Sequence, residues 1–262
     1  MAEKRDLISI TDLSADETRQ VILRAQQMKA GDVGRPLEGK KFVLLFEKPS
    51  LRTRVSFQVG IEDLGGYSLY LSPLEVGLGG REPVSDVARV LSGYVDCIIA
   101  RVFTHQHVEE LARYASVPVI NALSDWEHPC QVVSDLLTIT EHKDKLDVLK
   151  LAYVGDGNNV ARSLCLGLAS VGMNFAIAAP EGYNLDEASL KSAQRLASVQ
   201  GSKVLAITDP AEVVSDADVV YTDVWTSMGD EAESVKRMKV FKGYTVEPRL
   251  LARAKPDALF MH

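Results

Sequence analysis

The chain has 262 residues, of which 46% are hydrophobic and 25% charged, and 36 Asp and Glu outnumber 29 Lys and Arg for a formal net charge of −7. That length exceeds what one compact core usually needs, so two domains of about 100–150 residues are expected. With no basic tail or arginine-rich run, and no apolar run near the roughly 20 residues that span a bilayer, the sequence argues against nucleic-acid and membrane partners.

Taken in chain order, Ser14-Ala-Asp-Glu17 is a capping box that opens a helix. Val21, Ile22, Ala25 and Met28 then recur at helical spacing until Gly31 supplies a stop. Residues 42–46 read as a buried strand, 54–64 as a helix ended by Gly65-Gly66, and 68–71 as a strand, followed by a Gly/Pro-rich loop to about Val84. Next come helix 84–94, strand 96–100, helix 107–114, strand 117–120 and a long helix over about 129–142. The pattern then restarts with strand 151–154, helix 159–171, strand 174–178, helix 185–199 and strands 203–207 and 218–221. A polar loop from Asp223 to about Lys239, helix 247–254 and strand 258–261 complete the chain.

Continuous apolar strands separated by helices predict an α/β fold with two domains, each a parallel β-sheet flanked by helices. The boundary falls at 1–142 and 143–262, with the active site in the cleft between the domains. Ligands of such sheets bind beyond the carboxyl ends of the strands, so the residues after each strand carry the chemistry.

After the first strand comes Ser50-Leu51-Arg52-Thr53-Arg54. Hydroxyls, helix-start amides and a guanidinium at a strand end make an anion site without a basic protein. The competing reading is a plain helix cap with two solvated arginines. Arg101 follows strand 96–100, with His105 four residues on, and His128-Pro-Cys130-Gln131 opens the long helix. Singly, such residues are usually structural. Together they fall at strand ends of one predicted sheet, where they can converge on one small anion.

In the second half, Gly155-Asp156-Gly157-Asn158-Asn159-Val160 departs from the dinucleotide fingerprint. The third glycine position is Val160, and no acid ends the next strand. The paired asparagines suit a substrate carboxylate instead. Asp223, in Asp223-Val-Trp-Thr-Ser227-Met228-Gly229, could hold an ammonium group, its alternative being a solvated loop.

Ser50-Leu-Arg-Thr-Arg54 resembles the carbamoyl phosphate signature of the aspartate and ornithine carbamoyltransferase superfamily, and His128-Pro-Cys-Gln131 resembles its ornithine branch. Ser227-Met-Gly229 preceded by Asp223 is similar to the loop that branch closes over its amino acid. The resemblance runs through essentially the whole chain, with the motifs in family order. It implies that Ser50, Leu51, Arg52, Thr53, Arg101, His128 and Gln131 hold carbamoyl phosphate. It also implies that Asn159, Asp223, Ser227 and Met228 bind ornithine, and that Arg101 and His128 stabilise the oxyanion as the δ-amine displaces phosphate to give citrulline. A loop over 73–83 that reaches a neighbouring subunit, and a homotrimer, follow by the same route; Gly77 stands where a Gln is common.

No metal or organic cofactor is implied, and Cys130 is expected to pack rather than attack. The reading competes with a carbamoyltransferase for acetylornithine or putrescine, with a nucleotide-dependent oxidoreductase and with a non-catalytic anion-binding protein. Cys97, Cys130 and Cys165 are odd in number and scattered, and the first residues lack a targeting pattern, which predicts a reduced, cytoplasmic setting. In the family the last strand leads into a His-Cys-Leu-Pro turn and a returning helix. A chain ending at His262 is therefore expected to be a poor catalyst that still binds carbamoyl phosphate, with a natural form that continues further.

Overall fold

The computed structural model describes residues 4–226 and 231–262. It divides into two compact units: residues up to Leu13 with Arg19–Val133, and Ser14–Thr18 with Ser134–His262. Helix α1 (Ala15–Lys29) opens as its capping box predicts. Ser14 Oγ accepts from Glu17 N–H at 3.3 Å and Glu17 Oε2 accepts from Ser14 N–H at 2.9 Å, satisfying two of the helix's orphan donors.

The first unit continues through β1 (Lys41–Phe46), α2 (Leu51–Asp63), β2 (Tyr67–Leu71), α3 (Pro73–Val76), α4 (Val84–Ser92), β3 (Cys97–Arg101), α5 (His105–Tyr114), β4 (Val119–Leu123) and the start of α6 (Pro129–Lys143). Its strands form one parallel sheet in the order β2-β1-β3-β4. Both faces are covered, which explains why β1 reads as an unbroken apolar run. Val43 and Leu45 pack with Val87, Val108 and Leu111 on one side, while Leu44 and Phe46 pack with Ile61 and Ala122 on the other. Each such side chain contributes about 1.5–3 kcal/mol when fully buried.

The second unit carries the rest of α6, then β5 (Lys150–Val154), α7 (Asn159–Val171), β6 (Asn174–Ala178), α8 (Glu187–Gln200), β7 (Val204–Ile207), α9 (Pro210–Val214), β8 (Val219–Thr222), α10 (Ser234–Val240), α11 (Pro248–Leu251) and β9 (Leu259–Met261). This sheet is also fully parallel, in the order β7-β6-β5-β8-β9. Ala152, Val154, Ala176, Ala178 and Val220 form its core with Val213, Val214 and Ala217. Helix α7 is buried from Ala161 to Val171, and Gly172 ends it at φ 90°, a left-handed cap that glycine adopts without strain. The expected α/β architecture of two domains, each a parallel sheet flanked by helices, is what the chain adopts.

Several elements differ from the expectation. Helix α2 begins at Leu51, not Arg54, because Ser50 caps it. Strand β4 starts two residues later than predicted and ends three later, at Leu123. Helix α3 lies inside the predicted 73–83 loop, where Ser72 N–H donates to Glu75 Oε2 at 2.7 Å in a second capping box. Helix α9 separates β7 from β8, started by Asp209, whose Oδ1 accepts Ala211 N–H at 2.8 Å, and by Pro210 at the first helical position. Helix α10 falls in the predicted polar loop; it buries no residue, and its apolar Val235, Met238 and Val240 stay exposed.

Candidate active site

In the first unit, β1, β3 and β4 end side by side: Phe46 pairs with Arg101, and Arg101 with Leu123. The candidate residues leave from these ends. Ser50 is the N-cap of α2, in extended conformation, with Oγ accepting Thr53 N–H at 3.3 Å and donating to Thr53 Oγ1 at 2.9 Å. Leu51 and Arg52 are exposed on the first turn, beside amides that no backbone carbonyl can satisfy. Arg54 is committed elsewhere: its guanidinium carbon stacks 3.7 Å from the Tyr70 ring centroid and its Nε donates to Gln58 Oε1 at 2.8 Å. Of the two arginines flanking Thr53, Arg52 is therefore the one left for an anion.

Arg101 is buried, and burial pulls its pKa down. Its Nε has no hydrogen-bond partner among the described residues. A shielded guanidinium N–H without an acceptor is costly, and a ligand oxygen would complete it. Burial, and secondarily the charge of Arg101, hold the His128 pKa down at about 3. His128 is thus a neutral imidazole near pH 7, able to donate a hydrogen bond without carrying charge. Gln131 is half-buried in the first turn of α6, its N–H donating to His128 O at 3.1 Å.

The turn before His128 is held by Ser124, fully buried, whose Oγ accepts Glu127 N–H at 3.1 Å and Trp126 N–H at 3.3 Å. His105 Nδ1 lies 2.8 Å from the same hydroxyl, so His105 supports this turn. Cys130 donates to Asn121 O at 3.4 Å, and burial pushes its thiol up to about 12, which removes it as a nucleophile.

In the second unit, β5 and β8 end together, with Val154 paired to Thr222. Asn158 caps α7, its Oδ1 accepting Val160 and Ala161 N–H at 3.0 Å each. Its amide Nδ2 donates to Asp223 Oδ2 at 2.9 Å. Asn159, the first residue of α7, is half-buried, with Oδ1 accepting Val160 N–H at 3.0 Å. The two asparagines, read from the sequence as a pair suited to a substrate carboxylate, divide their work: Asn158 caps α7 and orients the Asp223 carboxylate, which leaves Asn159 for that role. Ser227 and Met228 lie outside the described residues.

A second contribution comes from a residue with no local sequence signal. Arg237, on α10, pairs with Asp156 at 2.5 Å and donates to Trp225 O at 3.0 Å, tying the Gly155–Asn158 turn to the segment after Asp223. A Cβ on Gly157 would meet the backbone of Asn184 and Leu185 at 2.5 Å, so this glycine serves close packing of that turn rather than the approach of a pyrophosphate. Among the described residues, no group of three or more His, Cys, Asp or Glu could hold a metal, and no helix is long and apolar enough to cross a membrane.

Comparison with known proteins agrees in both halves. Residues 5–141 match the family description "Aspartate/ornithine carbamoyltransferase, carbamoyl-P binding domain", and residues 147–262 match "Aspartate/ornithine carbamoyltransferase, Asp/Orn binding domain". The ornithine carbamoyltransferase of Anoxybacillus flavithermus is 49% identical over 262 residues, covering 98% of this chain and 83% of that protein. The anabolic ornithine carbamoyltransferase of Pyrococcus furiosus is 47% identical over 98% of this chain and 83% of its own length. A solved ornithine carbamoyltransferase structure from Pyrococcus furiosus superposes with a TM-score of 0.95 at 47% identity, covering 98% of this chain and 84% of that one. The anabolic enzyme of Campylobacter jejuni gives 0.95 at 36% identity, with 98% and 85% covered.

Proposed function

This chain belongs to the aspartate/ornithine carbamoyltransferase family, and from that premise we propose that it transfers the carbamoyl group of carbamoyl phosphate to the δ-amine of L-ornithine, giving L-citrulline and phosphate. The observation that carries the reading is the gathering of the Ser50 cap, buried Arg101 and neutral His128 at adjacent strand ends of one sheet. Residues 1–142 are the carbamoyl phosphate domain and 143–262 the ornithine domain. Ser50, the amides of Leu51 and Thr53, and the Arg52 and Thr53 side chains take the phosphate. Arg101, His128 and Gln131 take the carbamoyl group.

The chemistry follows from those assignments. Arg101 offers a charged donor, and His128 a neutral one, to the carbonyl oxygen as negative charge develops on it; losing one such donor typically costs about 10²–10³-fold in rate. The unprotonated δ-amine attacks the carbonyl carbon, and the C–O bond to phosphate breaks as the tetrahedral intermediate collapses, the proton lost by the nitrogen leaving on the departing phosphate. No covalent enzyme intermediate is needed, so most of the acceleration comes from orientation and electrostatics. Asn159, Asp223, Ser227 and Met228 bind the α-amino and α-carboxylate groups, with Asp223 aimed at the ammonium by Asn158. The working form is a cytoplasmic homotrimer.

A turnover comparison of ornithine, acetylornithine and putrescine by the purified full-length protein tests the acceptor. Ornithine should be preferred by a wide margin, because Asp223 recognises a free α-ammonium. Preference for either of the other amines would overturn the assignment.

A further inference from the structure

Glu47 is the first residue beyond β1, three residues ahead of the Ser50 cap, and it reaches the chain leaving β3 in two ways. Its backbone N–H donates to Arg101 O at 2.8 Å. Its side-chain Oε2 accepts Phe103 N–H at 2.8 Å, continuing by a side chain the cross-strand link that the backbone ladder has just ended. His107 Nδ1, on α5, donates to the same oxygen at 3.2 Å. The neighbouring Lys48 sets its Nζ 4.9 Å from the Phe103 ring centroid. The Glu47 side chain is only 10% exposed, so water is a poor substitute for these contacts.

Arg101 ends β3 and is fixed by its pairing with Phe46, but Ser50 lies on the loop after β1, where strand pairing has already stopped. We infer that Glu47 is a positioning residue that holds the Ser50 cap and the Arg101 guanidinium in register, so that one ligand can engage both. The inference rests on the carbamoyl phosphate reading given above. It makes a specific demand on two ligands. Inorganic phosphate needs only the Ser50–Thr53 turn at the start of α2, whereas carbamoyl phosphate needs that turn and Arg101 at a fixed separation. Misregister should therefore penalise the second ligand more than the first, a split that general destabilisation would not produce.

The test is calorimetric titration of full-length protein with carbamoyl phosphate and, separately, with inorganic phosphate. Glu47→Ala should weaken carbamoyl phosphate binding by about 10-fold or more, the usual effect of losing a hydrogen bond to a charged group, while phosphate binding shifts by less than about 3-fold. Glu47→Gln keeps an acceptor oxygen for Phe103 N–H and should recover to within about 3-fold of the parent. Should Glu47→Ala fail to fold, Glu47→Asp replaces it, since the shortened carboxylate cannot reach Phe103 N–H. Equal weakening of both ligands, an unchanged carbamoyl phosphate affinity, or a Gln variant as impaired as Ala would each overturn the inference. A parent protein that binds neither ligand would instead remove the reading on which it rests.

Discussion

Acidification should destabilise the first unit through His128. Burial and the neighbouring Arg101 hold the folded imidazole down at about 3, while an unfolded histidine titrates near about 6.5. Between those values the unfolded chain binds a proton that the folded chain refuses. The contribution to stability is therefore complete above about pH 6.5 and is lost as pH falls towards 3. One pKa unit is worth about 1.36 kcal/mol, so moving from about pH 8 to about pH 5 should remove roughly 2 kcal/mol through this residue alone. The chain holds two tryptophans, Trp126 and Trp225, one in each unit. In a Trp225→Phe background, urea unfolding followed by Trp126 fluorescence reports on the first unit. Other titrating groups are shared by the parent and a His128→Gln variant, so they cancel in the difference between the two pH dependences. The parent should lose about 2 kcal/mol more than the variant between the two pH values. Identical losses, within about 0.5 kcal/mol, would refute the argument that His128 is kept neutral by its surroundings.

Other perturbations separate the two half-sites. Arg52→Ala removes an exposed side chain and no core atoms, so the melting temperature should hold while carbamoyl phosphate affinity falls by about 1.5–3 kcal/mol, read by calorimetry. Asp223→Asn should raise the Michaelis constant for ornithine far more than that for carbamoyl phosphate; steady-state kinetics with both constants unchanged would discard the role given to Asp223. Burial pushes Cys97, Cys130 and Cys165 up to about 12, so none should react with a thiol reagent at about pH 8 until denaturant is added. Fast labelling of Cys130 in the folded protein would contradict its packing role.

The apolar runs that became β1, β3, β5 and β6 were legible because both faces of each sheet are covered, which leaves no polar alternation to blur them. The Ser50–Thr53 cap, Arg101 and His128 were legible for a related reason: parallel strands deliver loop residues to one edge, so position after a strand stands in for position in space. What stayed hidden depends on distant partners. Asn158 and Asp223 are 65 residues apart in sequence, and only the pairing of β5 with β8 explains their contact. Arg237 meets Asp156 from a helix with no buried residue, which reads as polar loop. Glu47, just ahead of the signature, and Arg54, its last residue, show in sequence only as charges. Only the folded chain shows Glu47 bound to Phe103 and Arg54 stacked on Tyr70. Short helices such as α3 and α9 carry local signals, Ser72 with Glu75 and Asp209 with Pro210, that the stronger glycine and proline punctuation around them outweighs.

The central claim is that a new C–N bond forms between the carbamoyl carbon and the δ-nitrogen of ornithine. It is tested most directly by mixing the purified full-length protein with ¹³C-carbamoyl phosphate and δ-¹⁵N-ornithine and following the product by NMR. The account predicts citrulline with one-bond carbon–nitrogen coupling at the δ position and release of one phosphate per citrulline. Label appearing on the α-nitrogen, or carbamoyl phosphate consumed with no coupled product, would contradict it.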